Sequence, residues 1–264
     1  MKSLRFHKPV ALLSLATFIL APAAFATTEV REEFHQTYPL DKQGRVQLEN
    51  VNGNVRITTW DREEIKVDAV KRAKKQEHLD EVKIEVDAKS DRIRIQTKYP
   101  DAKAKRSKNN STSVDYTLTV PKQSRLGAIS TVNGGVEIEN VAGDVEAASV
   151  NGHVSATGLA GDVELSTVNG SVQATFAELK KAVSLKSVNG SVTIALPQEA
   201  NAEVSANTLN GGISSDFSLQ VKKHFPVGQN LDGKLGAGGP TVKMSTVNGG
   251  IHLDRAKTVA LDNR

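Results

Sequence analysis

One four-residue motif, Ser/Thr-Val-Asn-Gly, recurs through the second half of this chain and constrains its fold more than any other feature. The Asn-Gly pairs recur at similar intervals, with Asp232-Gly233 standing in for one of them, and such recurrence is typical of repeat architectures. A second series of glycines divides the repeat, since Gly143 lies midway between Gly134 and Gly152. Each repeat, which we call a rung, therefore has two corners and two short strands. The corner asparagines are Asn133, Asn151, Asn169, Asn189, Asn210 and Asn248.

The residues between the corners alternate between apolar and polar, which is the pattern of strands with one buried face. A rung this short cannot bury its own apolar face, so each rung needs a copy of itself on either side. The expected inward pairs after the corner are Val136/Ile138, Val154/Ala156, Val172/Ala174, Val192/Ile194, Ile251/Leu253 and, more weakly, Ile213/Ser215. The expected inward pairs on the other strand are Val145/Ala147, Val163/Leu165, Val183/Leu185, Val204/Ala206 and Val242/Met244.

Two strand arrangements fit this alternation. Asn-Gly is a favoured hairpin turn, so the repeats could form an antiparallel meander. A parallel coil would instead stack each rung on the next and place like residues about 4.8 Å apart. The constant phase favours the coil, in which the six asparagines form a structural corner ladder through their side-chain amides. A second ladder could form from the residues before the valines: Thr131, Ser149, Thr167, Ser187, Thr208 and Thr246.

Residues 1–26 have the features of a secretory signal peptide. A basic start (Lys2, Arg5, Lys8) precedes a short apolar run and the cleavage pattern Ala24-Phe25-Ala26, so we expect an exported chain that begins at Thr27. This segment carries three positive charges and no negative ones, so its removal lowers the net charge from +4 to +1. Charge therefore gives no support for a nucleic-acid partner. No later stretch is apolar enough to serve as an integral membrane anchor, and without cysteine the fold has no disulfide or lipid attachment site.

The first half of the chain follows the repeat once and then departs from it. Residues 44–57 contain Val51-Asn52-Gly53 in phase with a full rung, so we expect the coil to begin there. Residues 65–70, 82–86, 93–97 and 114–120 read as extra strands that cover the start of the stack, where open edges invite aggregation. Residues 71–81 are predicted to form a loop or one helical turn. A second interruption covers residues 218–241, and a polar tail ends the chain.

This organisation predicts three segments. Residues 1–26 form the signal peptide, and residues 27–127 form an N-terminal β region that contains the first rung and the capping strands. Residues 128–264 form the repeat β-solenoid.

Side chains that could carry catalysis or hold a metal ion form no recognisable motif. The six histidines lack zinc-site spacing, and His153 and His252 are expected at the surface in different rows. Asp144 and Asp162 could bind a cation, but as corner residues they more readily accept hydrogen bonds from local backbone N–H groups. We assign no catalytic residue, no cofactor and no metal site.

Three other features read as ordinary surface or loop. Glu137, Glu146 and Glu164 are interpreted as separated charges on different faces. The glycine-rich residues 233–239 lack the Gly-Lys-Ser/Thr ending of a phosphate loop. The basic residues 103–108 could contact anionic lipid or lipopolysaccharide, but a solvated insertion is the simpler interpretation.

Several segments together are similar to one known family. The stretch 51–57, the strand 115–121, the serial Ser/Thr-Val-Asn-Gly corners and the closing segment 235–251 resemble the bacterial exported "putative adhesin" domain of unknown function. The resemblance covers nearly all of residues 40–255 and implies an all-β, right-handed parallel β-solenoid. Its repeating unit would be a two-strand rung of about 18 residues. The resemblance carries over no catalytic residue, because the family motif consists of turn and core residues.

We therefore expect a non-catalytic β-solenoid that acts as a structural or adhesin-like binding protein of the cell envelope. It would be periplasmic, or else secreted or displayed at the cell surface, and its partner would be an envelope protein or glycan. The alternative is a polysaccharide lyase or hydrolase on a β-helix scaffold. That function requires charged residues clustered on one outward face over adjacent rungs, and the repeats are interpreted as lacking such a cluster. A third possibility is a scaffold or sensor role in envelope homeostasis.

Overall fold

The computed structural model describes residues 29–100, 111–223 and 227–256. The predicted signal peptide, the basic residues 103–108 and the tail beyond residue 256 lie outside this part of the chain. Within it nearly all of the regular secondary structure is β-strand, with one short helix. The strands form two sheets, and their apolar side chains make one hydrophobic core that extends from Leu40 to Leu253.

The first half of the chain contains seven strands and the helix. They are β1 (Val30–Pro39), β2 (Arg45–Glu49), β3 (Val55–Trp60), β4 (Glu64–Ala73), α1 (Gln76–Glu81), β5 (Lys83–Ala88), β6 (Arg92–Lys98) and β7 (Ser113–Pro121). The remaining strands are β8 (Arg125–Asn133), β9 (Val136–Glu139), β10 (Val145–Asn151), β11 (Val154–Leu159), β12 (Val163–Asn169), β13 (Val172–Phe176), β14 (Val183–Asn189), β15 (Val192–Leu196), β16 (Ala202–Asn210), β17 (Ile213–Ser215), β18 (Val221–Lys223), β19 (Gln229–Leu235), β20 (Thr241–Asn248) and β21 (Ile251–Arg255).

The strands before and after each Asn-Gly corner go to different sheets. The ten-stranded sheet has the order β1-β4-β7-β3-β9-β11-β13-β15-β21-β17. The eleven-stranded sheet has the order β18-β19-β16-β20-β14-β12-β10-β8-β2-β6-β5. Antiparallel pairing is confined to the ends of the two sheets, where β4 pairs with β1 and β7, β5 pairs with β6, and β19 pairs with β16 and β18.

Strands from successive repeats are parallel and pair like with like. In the eleven-stranded sheet Val145 pairs with Val163, and Asn151 pairs with Asn169. In the ten-stranded sheet Val154 pairs with Val172. The antiparallel meander is therefore wrong for the repeats. Each Asn-Gly corner connects a strand of one sheet to a strand of the other sheet, and not two neighbouring strands of the same sheet.

The inward side chains line the space between the sheets, as their alternation predicted. Val154, Val172 and Leu165 are fully buried, and Val163 is 3% exposed. The Ile213/Ser215 pair is only half-buried because β17 is the short edge strand of its sheet. Leu, Ile, Val and Ala fill most of the core, which suits two sheets that lie close together.

The spatial order of the rungs departs from the sequence order at both ends, which the sequence reasoning did not anticipate. The β20–β21 rung lies between the β14–β15 and β16–β17 rungs, although it follows both in sequence. Likewise, β2 and β3 lie between the β6–β7 and β8–β9 rungs. The strands of all rungs can pair in the same register. The repeat pattern therefore does not specify which rung lies next to which.

The N-terminal strands occupy the ranges that alternation predicted, with two additions. Strand β1 was missed because it is a mostly exposed edge strand, from which Phe34 and Tyr38 pack against the core. Helix α1 is longer than the one turn expected, and it buries Leu79. The nearly buried Lys71 links these elements, since its Nζ donates to the carbonyl oxygens of Leu79 and Val82 and pairs with Glu32 at 2.9 Å.

Candidate binding surface

Each residue of the Ser/Thr-Val-Asn-Gly corner has a separate structural role. The first residue is buried, and its hydroxyl donates to a glycine carbonyl oxygen of the adjacent rung. Ser149 donates to Gly134 at 2.8 Å, and Thr167 donates to Gly152 at 2.8 Å. The suggested hydroxyl ladder is therefore wrong, because each hydroxyl donates to a backbone carbonyl instead of to the next side chain.

The corner asparagines lie in one column along the stack. In the spatial order 133, 151, 169, 189, 248, 210, each side-chain amide donates to the side-chain oxygen of the preceding asparagine at 2.7–2.9 Å. Asn133 itself donates to Asn52 at 2.7 Å, so the column includes the first rung. The structure thus brings all six predicted site residues together.

The glycine that follows each asparagine allows neighbouring corners to approach closely. A Cβ added at Gly152 would overlap the carbonyl oxygen of Gly134, and the same holds for Gly190 against Gly170. Only glycine fits this spacing without moving a backbone.

The opposite corners carry the aspartates that sequence reasoning considered. Asp144 accepts a hydrogen bond from the backbone N–H of Asp162 at 3.1 Å, and Asp162 accepts one from Ala182 at 3.0 Å. Both aspartates are therefore backbone acceptors as expected, but the donors belong to the next rung, 18 and 20 residues along the chain, and not to the local turn.

The valine of each corner faces solvent, and these valines form a continuous row on the outer face of the eleven-stranded sheet. Their exposure ranges from 36% at Val51 to 40% at Val247, and Leu209, which takes the place of the valine in one corner, is 50% exposed. We call this set the valine row. In spatial order it consists of Val51, Val132, Val150, Val168, Val188, Val247 and Leu209.

Beside the valine row, the same face contains a groove of about 990 Å³. Small side chains such as Ser184, Ser205 and Ser245 form part of its floor. Arg45 and Arg125 lie toward the N-terminal end of the stack, and Lys243 lies toward the other end. The groove therefore carries charges of both signs, with cationic ends and an acidic centre.

Two glutamates form the acidic centre, and they correct the sequence interpretation. Glu146 and Glu164 are in-register neighbours on β10 and β12 and share the outer face, whereas they were expected on different faces. Glu164 pairs with Lys186 at 2.8 Å. The repeats were interpreted as lacking a charged cluster, and that interpretation is wrong, because strands from successive rungs become neighbours in the sheet.

Comparison with known proteins adds the family. The sequence model of the Toastrack DUF4097 family matches residues 96–254, which is more than half of the chain. The chain belongs to the Toastrack DUF4097 family. No curated protein matches this Toastrack chain.

Solved structures resemble the Toastrack chain at low sequence identity. A "putative cell adhesion protein" from Clostridium sporogenes is 11% identical, with a TM-score of 0.50 over 85% of this chain and 100% of its own. A "putative adhesin" from Bacteroides fragilis is 11% identical, with a TM-score of 0.27 over 84% of this chain and 96% of its own. A "putative lipid binding protein" from Parabacteroides distasonis is 12% identical, with a TM-score of 0.27 over 85% of this chain and 97% of its own. At this identity the first likeness concerns the fold alone.

The outer face of the ten-stranded sheet is polar in this Toastrack protein. Gln173 and Thr193 occupy neighbouring exposed or half-exposed positions, and His252 contacts Ser214 at 2.8 Å. His153 is also exposed and lies in a different row, as predicted. Across the described ranges, no group of three His, Asp or Glu side chains is placed to hold a metal ion, and no helix there is long and apolar enough to span a membrane.

One histidine has carboxylates on both sides. Nδ1 of His35 lies 2.7 Å from Asp68, and Nε2 lies 3.1 Å from Glu33. The hydrogen bond with Asp68, followed by that with Glu33, raises the pKa of His35 above its usual value. This cluster lies on β1 and β4, away from the groove.

The valine row is the feature that sequence reasoning missed in this Toastrack chain. The Val-Asn-Gly motif was interpreted as a turn, so its valine was not assigned to the inner or the outer face of the sheet. A signal was present, since Val150 lies two positions after Ala148 and four after Glu146, at the outward phase of β10.

Proposed function

We propose that this Toastrack protein is a non-catalytic, adhesin-like binding protein of the cell envelope, and that the outer face of the eleven-stranded sheet is its binding surface. The observation that carries the proposal is the valine row beside the groove. Contiguous exposed apolar residues rimmed by polar ones mark interaction sites on soluble proteins. The opposite face of the protein, on the ten-stranded sheet, has no comparable row among its described residues.

The proposal includes export and the finer architecture. The signal-peptide pattern of residues 1–26 supports export, with the periplasm as the first location and secretion or surface display as alternatives. The asparagine spacing of 18 residues at 133, 151 and 169 supports rungs of about 18 residues, and crossovers between parallel strands are nearly always right-handed. The division at residue 127 between an N-terminal β region and the repeat solenoid stays a prediction, as does the stabilising role of the asparagine ladder.

The alternative function, a polysaccharide lyase or hydrolase, now has one observation in its favour. Glu146 and Glu164 lie side by side in the groove, about one strand spacing apart. General acid–base catalysis depends on burial that separates the proton affinities of two carboxyl groups. Both side chains face solvent, and Glu164 is paired with Lys186, which is typical of solubilising surface charges. The geometry therefore favours binding.

A sedimentation assay tests the binding proposal. Labelled protein is mixed with isolated bacterial envelope fragments, and the bound fraction is measured over a concentration series. We expect saturable binding that Val168→Asp weakens by at least about tenfold, because a charge in the valine row opposes apolar contact. The matched control is Gln173→Asp on the opposite face, which should bind like the wild type. Equal loss in both variants, or no saturable binding, would overturn the proposal.

An activity assay separates the two functions. Envelope polysaccharides are incubated with the wild type and with the Glu146→Gln/Glu164→Gln double variant, and new reducing ends and unsaturated sugar products are measured. The binding proposal predicts no product from either protein. Product formation that disappears in the double variant would establish the enzyme instead.

A further inference from the structure

We infer that the partner of this face is a second copy of the same chain, packed face to face about a twofold axis that runs parallel to the strands between β12 and β14. The inference rests on the proposed function, since it names the occupant of the same surface. Two sheets can pack in this way about 10 Å apart with their strands aligned.

The symmetry fixes which strands meet. A row is the set of in-register residues on neighbouring strands. Under a twofold axis parallel to the strands, each row of one copy lies opposite the same row of the other copy, and the order of the strands is reversed. Starting from the sheet order, β12 then faces β14 of the other copy, β10 faces β20, and β8 faces β16. An axis along the stack would reverse the order of the rows, so only one row could face itself and the valine row and the charged rows could not all do so.

The valine row is self-complementary under this axis. Val168 faces Val188 of the other copy, and Val150 faces Val247. At the end of the row, Val132 faces Leu209. The row therefore becomes an apolar strip across the interface, and the side chains of the groove flank it on one side.

The charges in the groove are complementary under the same operation. Glu146 on β10 faces Lys243 on β20, and Arg125 on β8 faces Glu203 on β16. None of these four side chains forms an ion pair within the described part of its own chain. The twofold rotation thus gives each of these four charged side chains a partner of opposite charge. Neither an apolar ligand nor a membrane surface would do so.

Like charges meet only toward the margin. Arg45 on β2 faces Lys234 on β19, and each of these strands is the fourth from the axis. Twist rotates each successive strand relative to the centre of a sheet, so the margins of two packed faces diverge and this pair is held apart.

Sedimentation velocity of the purified chain over a wide concentration range tests the inference. We expect a monomer–dimer equilibrium. Val168→Asp and Val188→Asp should each raise the dimer dissociation constant at least about tenfold, because each places two charges at the centre of the interface. Gln173→Asp, on the opposite face, should leave the dissociation constant unchanged, and circular dichroism should show that all variants are folded.

A charge-reversal cycle identifies the axis. Glu146→Lys and Lys243→Glu should each weaken the dimer about tenfold, and the double variant should return to within about threefold of the wild type, because the pair is re-formed with opposite signs. If the two losses simply add, Glu146 does not face Lys243 and the inferred axis is wrong.

The outcomes distinguish the inference from the proposed function. A wild type that remains monomeric, together with envelope binding that Val168→Asp abolishes, would show that the face docks an envelope molecule; the inference would fall and the proposed function would stand. A dimer that Val168→Asp disrupts, without envelope binding, would support the inference and overturn the proposed function. A dimer that Val168→Asp does not disturb would overturn the inference.

Discussion

The side-chain amide of Asn248 donates a 2.7 Å hydrogen bond to Asn189, which lies 59 residues earlier in the chain. Asn210 comes between them in sequence, yet it lies on the far side of Asn248 and donates to it at 2.9 Å. The last rung is therefore inserted between two rungs that precede it. Because β14 does not pair with β16, their only connection through the eleven-stranded sheet is β20.

Truncation after Pro240 tests the importance of this insertion. The shortened chain lacks β20 and β21 and with them the buried Val242, Met244 and Ile251. It also leaves β14 and β16 with unpaired edges, so we expect insoluble or unfolded protein, measured by soluble yield and circular dichroism. The control is truncation after Ala256, which should retain the wild-type melting temperature. If both truncated chains melt alike, the inserted rung is not required for the fold.

Substitutions to aspartate at two nearby valines test the assignment of inward and outward faces. Val163 is 3% exposed and Val168 is 40% exposed, although they lie on the same strand. Val163→Asp places a carboxylate between the sheets and should cost more than about 4 kcal/mol, which is enough to unfold a marginally stable domain. Val168→Asp should change the free energy of unfolding by less than about 1 kcal/mol. Urea denaturation measures both, and a similar loss in the two variants would contradict the assigned phase.

Substitutions to alanine at two glycines test the close approach of the corners. Gly152→Ala would drive its Cβ against the backbone carbonyl of Gly134, so we expect a loss of about 2 kcal/mol or more. Gly212 has no atom within 4 Å of the position that its Cβ would take, which makes Gly212→Ala the matched control. Thermal unfolding of both variants gives the comparison. Comparable melting temperatures would mean that neighbouring corners are not in contact.

The asparagine ladder can be tested in the middle of its column. Asn169→Ala removes the hydrogen bond to Asn151 and the one from Asn189, so we expect a loss of about 1 kcal/mol in the free energy of unfolding. The control is Gln173→Ala, an exposed polar residue on the next strand, which should be neutral. Equal stability of the two variants in urea would show that the ladder contributes nothing measurable.

His35 should make stability depend on pH in a specific direction. Its pKa is raised by hydrogen bonding first to Asp68 and then to Glu33. The stabilisation is therefore complete below the unfolded pKa of about 6.5 and is lost as pH rises through the higher folded value. The melting temperature of the wild type relative to His35→Gln should be higher near pH 6 than near pH 9, values chosen to bracket this transition. A difference that does not vary with pH would contradict the assignment.

The sequence by itself determined the local structure of this protein. Alternation with period two assigned the faces of strands such as β10 and β12, and those assignments agree with the burial of Val163 and Leu165. Recurrence of Asn-Gly at a constant phase indicated parallel stacking, because like residues then meet on adjacent strands. The faces could be assigned because alternation depends on residues close in the chain, and parallel stacking could be inferred because the repeat returns the same residue types at the same phase.

Only the tertiary structure decided the order of the rungs and the composition of the outer surface. Any rung can pair with any other when all share one register, so the insertion of Asn248 beside Asn189 is not encoded in the repeat. The same limit applies to the charged cluster, since Glu146 and Glu164 become neighbours only when their rungs stack. The valine row likewise exists only in the assembled stack, because a single exposed valine is common on protein surfaces, whereas six valines and Leu209 in one row form a surface.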